Sequence, residues 1–184
     1  DTEYTPKNTT NPFEYQNELY RQLFGLTENL YTPVKYNVRV NDDGYGAQIQ
    51  LDMPDDSSKL AVYGSVPWEY GANSAIYING EFITDYACWL SPTVFYIPND
   101  ANQSCEMEVK TDADNFNWDM VQFYSLNLNV LSQYAKIANS QRVDTLSVEN
   151  GLVTASISST QDDERLFMSI PVDDGWNITL NGKK

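Results

Sequence analysis

The fold is decided by the stretch 34–51, which reads VKYNVRVNDDGYGAQIQL. Apolar residues alternate with polar ones on both sides of a turn signal at 41–44, where Asn, Asp, Asp and Gly follow one another. Successive side chains of a strand point to opposite faces, so this alternation predicts a β-hairpin with one buried face. The apolar positions are Val34, Tyr36, Val38 and Val40 before the turn, and Ala47, Ile49 and Leu51 after it.

Further short strand signals follow, separated by Gly, Pro, Asn and Asp. One of them is folded at Asn79-Gly80, and Asn-Gly is the pair that a tight hairpin turn prefers because both positions need a positive φ. Short strands at regular spacing favour a sandwich or barrel over strands that alternate with helices. The predicted strands lie at 60–66, 75–83, 93–97, 107–109 and 120–124.

Two segments have the periodicity of a helix. The first begins at Asn11, a favoured N-cap residue, has Pro12 at its first position and ends at Gly25, a favoured C-cap residue. The second covers 127–139, where apolar residues recur at helical spacing.

Strand signals return after the second helix. Alternating apolar residues flank Asn150-Gly151, which predicts another hairpin, and strands are predicted at 165–170 and 177–180. Asn181-Gly182 predicts one more turn, after which a returning strand is expected. This second β module is therefore expected to be incomplete at its C-terminus.

These signals predict a mostly β protein. We expect a jelly-roll-like β-sandwich over about 34–124 with an N-terminal helix packed on it, and a second, smaller and truncated β module. The predicted domains are 1–126 for the N-terminal helix and sandwich, 127–141 for a linking helix and 142–184 for the second module.

Two short patterns occur twice in the chain. Ser-aliphatic-Pro is found at 65–67 and 169–171, and Ile-x-aliphatic-Asn-Gly is found at 76–80 and 178–182. An internal duplication would produce this echo. So would any two hairpins of this shape, because Pro ends strands and Asn-Gly turns them. The sequence leaves both explanations open.

Composition excludes several classes of function. The net charge of −15 over 184 residues disfavours binding to nucleic acid or to an anionic membrane surface. The sequence has no histidine, which removes the usual general base and Ser-His-Asp or Cys-His machinery. No apolar run approaches the ~18 residues that a membrane helix needs. Cys88 and Cys105 are compatible with two free thiols or with one disulfide.

Aromatic residues in a turn-like stretch are the strongest ligand-binding candidates. Trp68, Glu69 and Tyr70 follow Pro67, and an aromatic side chain in a loop offers the flat apolar surface on which sugar rings stack. Acidic side chains nearby can accept hydrogen bonds from sugar hydroxyls. The alternative explanation is an ordinary turn with aromatic packing.

Acidic turn residues are candidates for holding calcium. Asp42 and Asp43 could supply carboxylate oxygens, which Ca²⁺ prefers. Their spacing does not match a helical calcium loop, and Asp, Asn and Gly are also the ordinary residues of turns. No other cofactor is predicted.

Several motifs are informative in combination. They are NPFEYQNELY at 11–20 with Gly25, YING at 77–80, and SIP, GW and NGKK at 169–171, 175–176 and 181–184. Together they resemble the YfhO family, large multi-pass membrane proteins found mainly in Gram-positive bacteria. The motifs lie near the start, middle and end, so the resemblance covers essentially the whole chain. The family often has Asp at the position of Asn181, and both residues suit the same turn.

The resemblance implies an extracytoplasmic β-rich domain that precedes the last membrane span of its parent, with the second module continuing beyond Lys184. It also implies a parent that looks like a membrane glycosyltransferase, connected with glycosylating teichoic acid or related polymers of the cell envelope. The family's presumed catalytic acids lie in loops near the membrane helices, so none is assigned to this chain. The implied location is the extracytoplasmic face of the cell membrane.

The resulting hypothesis is a non-catalytic domain that positions a glycan acceptor or a lipid-linked sugar. Its partners would be the rest of the parent membrane protein and envelope glycan. One alternative is a purely structural or protein-interaction domain. The other is a free-standing secreted carbohydrate-binding module, which, unlike the first two, requires no flanking membrane spans.

Overall fold

A computed structural model describes residues 9, 11–59, 61–65, 73–86, 94–98, 104–113, 116–158, 166, 168 and 173–183. The chain divides into two compact units, Asp1–Gln141 and Arg142–Lys184. The elements of the first unit are α1 (Pro12–Phe24), β1 (Tyr31–Pro33), β2 (Tyr36–Val40), β3 (Gly46–Leu51), β4 (Val62–Ser65), β5 (Ser74–Ile78), β6 (Glu81–Tyr86), β7 (Val94–Ile97), β8 (Cys105–Thr111), β9 (Gln122–Leu126) and α2 (Leu128–Ser140). The second unit contains β10 (Thr145–Glu149) and β11 (Leu152–Ser156).

The first unit is a sandwich of two antiparallel sheets. One sheet has the strand order β1-β9-β4-β7 and the other has the order β2-β3-β8-β5-β6. The four strands of the first sheet and the strands β3-β8-β5-β6 of the second follow the order of a jelly roll, and β2 is an additional edge strand beside β3. The predicted fold class, a mostly β, jelly-roll-like sandwich with an N-terminal helix, is confirmed.

The apolar core lies between the two sheets. Gly64 on β4 allows close packing there, because a Cβ at this position would lie 2.5 Å from Cζ of Phe95 and 3.0 Å from Cε1 of Phe123. The hairpin predicted at 34–51 is confirmed, and most of its predicted inner residues pack in or against this core. Val40, next to the turn, is the exception at 43% exposed. Core side chains include Val62, Phe95, Ile97 and Phe123 from the four-stranded sheet and Ala47, Ile49, Leu51, Ile76, Ile78, Met107 and Val109 from the five-stranded sheet.

Both helices pack on the outer face of the four-stranded sheet. The predicted caps of α1 are confirmed: Oδ1 of Asn11 accepts hydrogen bonds from the backbone N–H groups of Phe13 and Glu14, and Gly25 has a left-handed φ of 70°. Asn11 also donates to the Tyr124 hydroxyl at 2.9 Å, and Phe13 stacks on the Tyr124 ring. The helices therefore cover the outer face of this sheet. On the other sheet, the outward residues Gln48, Gln50 and Phe82 are exposed.

The second unit contains the predicted hairpin. β10 pairs with β11 across Asn150-Gly151, and both turn residues have a positive φ, as the Asn-Gly signal requires. The apolar side chains of the hairpin are largely exposed, with Leu146 at 63% and Val148 at 67%.

The prediction of a strand at 177–180 is wrong. Asn177–Thr179 has no regular structure, and Leu180 forms an isolated bridge with Lys183 across the Asn181-Gly182 turn. The turn signal is local and holds, whereas a strand needs a paired neighbour, and none of the described residues pairs with 177–179. Two residues of the strand predicted at 165–170, Leu166 and Met168, are described, and neither lies in a strand.

Candidate ligand-binding face

The aromatic site predicted from the sequence lies outside the described residues. Trp68, Glu69 and Tyr70 belong to the stretch 66–72, which the structure does not describe. Their assignment as ligand-binding residues therefore stays a prediction.

The acidic turn between β2 and β3 is described. Asp42 and Asp43 are both exposed, and Oδ1 of Asp43 accepts a hydrogen bond from the backbone N–H of Tyr45 at 3.0 Å. Asp43 thus stabilises its own turn. Within the described ranges, no three His, Cys, Asp or Glu side chains lie close enough together to share a metal ion. The calcium site at Asp42 and Asp43 stays a prediction from the sequence.

Cys105 is a core residue. It is a free thiol on the inner face of β8, and burial raises its pKa, with the neighbouring Glu106 carboxylate adding to the effect. A raised pKa keeps the thiol protonated and unreactive at neutral pH. Cys105 therefore acts as an apolar packing residue; Cys88 is not among the described residues.

The outer face of the five-stranded sheet carries the best described candidate site. We call it the polar face and define it by two rows of residues that are cross-strand neighbours. The first row crosses β2, β3 and β8, and the second crosses all five strands. The first row consists of Asn37, Gln50 and Glu106, and the second of Arg39, Gln48, Glu108, Tyr77 and Phe82.

Strand alternation explains why these side chains share a face. On β3, the side chains of Ala47, Ile49 and Leu51 are buried, whereas those of Gln48 and Gln50 are exposed. Because the inner residues are held between two sheets, the backbone that carries the outer residues is fixed. The polar face is therefore a rigid platform rather than a loop.

A shallow depression of about 290 Å³ lies on the polar face. Its volume is at the lower limit of small-molecule sites, which begin near ~300 Å³. Most of the surface that lines it is apolar, and five polar side chains surround it. The polar residues that line it are Asn37, Arg39, Gln48, Gln50 and Glu106.

The polar face has a small negative charge. It carries one cation, Arg39, and two anions, Glu106 and Glu108, so its formal charge is −1 on a chain of net charge −15. Lys110 lies in the next row of β8. Nζ of Lys110 lies 3.3 Å from Oε2 of Glu108. Arg39 is in none of the ion pairs formed among the described residues, so its guanidinium is available to a ligand.

Aromatic rings lie at the β5–β6 end of the second row. Tyr77 and Phe82 are edge-to-face with ring centroids 5.7 Å apart, and Nζ of Lys110 lies 4.5 Å from the Tyr77 ring centroid. Phe82 is 50% exposed. Hydrogen-bonding groups at one end and an exposed aromatic ring at the other are the two components that carbohydrate binding needs.

The sequence did not predict the polar face, because its rows join residues from five separate strands. A partial signal is the β3 pattern AQIQL at 47–51, where both outward positions are uncharged amides. Solvated outward positions in a highly acidic chain would more often be charged, so two amides in a row indicate a surface with a hydrogen-bonding role.

Comparison with known proteins gives one family. The family model described as "Bacterial membrane protein YfhO" matches residues 2–184, and the resemblance in the sequence motifs is thereby confirmed. Searches of curated proteins and of solved structures each found no match. Within the described residues, no helix is both long enough and apolar enough to cross a membrane.

Proposed function

Because the chain belongs to the YfhO family of bacterial membrane proteins, we propose that it is a non-catalytic domain that binds glycan through the polar face. The observation that carries the proposal is the depression lined by amides on a rigid sheet. Its partners are the rest of a parent membrane protein and a glycan acceptor or a lipid-linked sugar. The proposed location is the extracytoplasmic face of the cell membrane.

The chemistry of the polar face suits a polyol. A carboxamide offers two N–H donors and a carbonyl acceptor, so it can pair with a hydroxyl in either sense. Asn37, Gln48 and Gln50 place three such groups around one depression. A face with a small net negative charge does not attract an anionic ligand. These features support a neutral or weakly charged glycan.

The carboxylates of the polar face support binding more than hydrolysis. Glu106 and Glu108 project from the same strand to the same face, about 7 Å apart along β8. Glycosidases hold their two carboxyl groups on either side of the scissile bond, and one must be protonated. Here Glu106 and Glu108 lie side by side on one face of a sheet, and Glu108 is in an ion pair with Lys110.

The role of the parent protein is the second part of the proposal. We infer from the sequence resemblance that the parent is a membrane glycosyltransferase acting on teichoic acid or related envelope polymers. A domain that binds uncharged glycan on the same side of the membrane would raise the local concentration of that glycan near the membrane part. Membership of a membrane protein family supports the association with a membrane.

A glycan array tests the proposed function. The full chain is expected to bind neutral glycans on an array that also carries anionic polymers. Because a lost hydrogen bond in a desolvated contact costs about 1 kcal/mol or more, the double variant Gln48→Ala/Gln50→Ala should bind at least about tenfold more weakly. The matched control is Gln133→Ala/Gln141→Ala, which removes two exposed amides at α2 and should leave binding unchanged.

Three other outcomes would contradict the assignment in different ways. Binding that is lost in Trp68→Ala but kept in the Gln48/Gln50 variant would move the site to residues 68–70. Binding confined to anionic polymers would contradict the charge argument. Binding to no glycan would favour the alternative, a structural or protein-interaction domain.

A further inference from the structure

The second row of the polar face is longer than the depression. The depression lies over β2, β3 and β8, whereas the row continues through Tyr77 on β5 to Phe82 on β6. Neighbouring strands are ~4.8 Å apart, so Gln48 on β3 and Phe82 on β6, three strand spacings apart, are separated by ~14 Å. A ligand that fills only the depression cannot reach the aromatic end.

The second row has hydrogen-bonding side chains at one end and aromatic side chains at the other. At the β3 end, Gln48 and its neighbour Gln50 can hydrogen-bond to hydroxyls. At the β6 end, the exposed ring of Phe82 is held edge-to-face by Tyr77. Lys110 lies over Tyr77 and thereby occupies one side of that ring, which leaves Phe82 as the ring available for stacking.

A sugar ring advances an oligosaccharide by about one strand spacing, so the distance from Gln48 to Phe82 corresponds to about three or four rings. Resting on the proposed glycan-binding function, we propose that the polar face binds an uncharged oligosaccharide of at least three sugars laid across the strands. Amides at Gln48 and Gln50 bind one end, and Phe82 stacks against a ring at the other. The site therefore selects a polymer over a monosaccharide.

The test is a length series measured by titration calorimetry on the full chain. The probes are β-1,4-linked oligomers of N-acetylglucosamine and of glucose, each from the monosaccharide to the hexasaccharide. Affinity in at least one series is expected to rise up to the trisaccharide or tetrasaccharide and then to level off. Phe82→Ala should abolish that rise while leaving disaccharide binding unchanged, whereas Gln48→Ala should weaken binding at every length.

The chain offers a closely matched control for Phe82. Tyr96 on β7 is also 50% exposed and also lies edge-to-face with another tyrosine, Tyr63, at 5.6 Å, but it belongs to the other sheet. Tyr96→Ala should leave every affinity unchanged. Circular dichroism on both variants checks that each one is folded.

The outcomes separate this proposal from the proposed function. Equal affinity at all lengths, or a rise that survives Phe82→Ala, overturns the extended site and leaves glycan binding standing. No binding in either series also overturns it, and the glycan array then decides independently whether the chain binds glycan at all.

Discussion

The hairpins β2–β3 and β10–β11 have the same sequence design and opposite environments. In each, apolar residues alternate with polar ones on either side of a turn. Leu51 on β3 is 1% exposed, because a second sheet covers that face, whereas Leu146 on β10 is 63% exposed. Among the described residues of the second unit, no other strand or helix forms a layer over β10–β11.

This difference shows what alternation does and does not specify. Period-two patterning is local, so it specifies a strand and the side on which its apolar residues lie. Burial of that side depends on a second layer that comes from distant parts of the chain. Of the two, the covered hairpin packs its apolar side into a core, and its outward side forms part of the polar face.

The largest expected difference between the hairpins is the response to truncating a leucine. Leu51→Ala removes a fully buried side chain and should lower the free energy of unfolding by about 3 kcal/mol. Leu146→Ala removes the same atoms from an exposed position and should change it by less than about 0.5 kcal/mol. Urea-induced unfolding of both variants measures this. Similar losses in the two variants would mean that the second hairpin is covered after all.

A second comparison uses the same substitution at two glycines. Gly64→Ala places a methyl group against the Phe95 ring between the two sheets and should cost about 2 kcal/mol through overpacking. Gly175→Ala in the second unit meets only one side-chain oxygen, that of Asp173, and should cost less than about 0.5 kcal/mol. Thermal unfolding measures both. A neutral Gly64→Ala would contradict the close packing of the Phe95 and Phe123 rings over Gly64.

The smallest expected effect is a pH dependence at a loop of the first unit. Hydrogen bonds from the side chain and backbone of Asn73 hold the pKa of Asp112 below its usual value. Because the folded-state pKa lies below the unfolded one, the stabilisation is present above the unfolded pKa and is lost as pH falls through the folded pKa. NMR titration should show the pKa of Asp112 rising in Asn73→Ala and unchanged in Asn139→Ala, an exposed position on α2. An unchanged pKa in Asn73→Ala would contradict the hydrogen-bonding account.

Much of the fold could be predicted from local signals. The caps of α1 and the Asn-Gly turns are determined by a few neighbouring residues. Both predicted caps are present, and so is each predicted Asn-Gly turn. The strand at 177–180 could not be judged from its residues, because pairing depends on a partner elsewhere. The polar face was missed for a similar reason: its rows join residues from five strands, and their register is set by tertiary structure.

The most direct test of the glycan site is NMR of the labelled chain titrated with the tetrasaccharide of N-acetylglucosamine. The side-chain amide signals of Gln48 and Gln50 should shift, as should the ring signals of Phe82, while the signals of β10–β11 stay in place. Shifts confined to Trp68 and Tyr70, shifts centred on β10–β11, or no shift at saturating oligosaccharide would contradict the assignment of the polar face as the binding site.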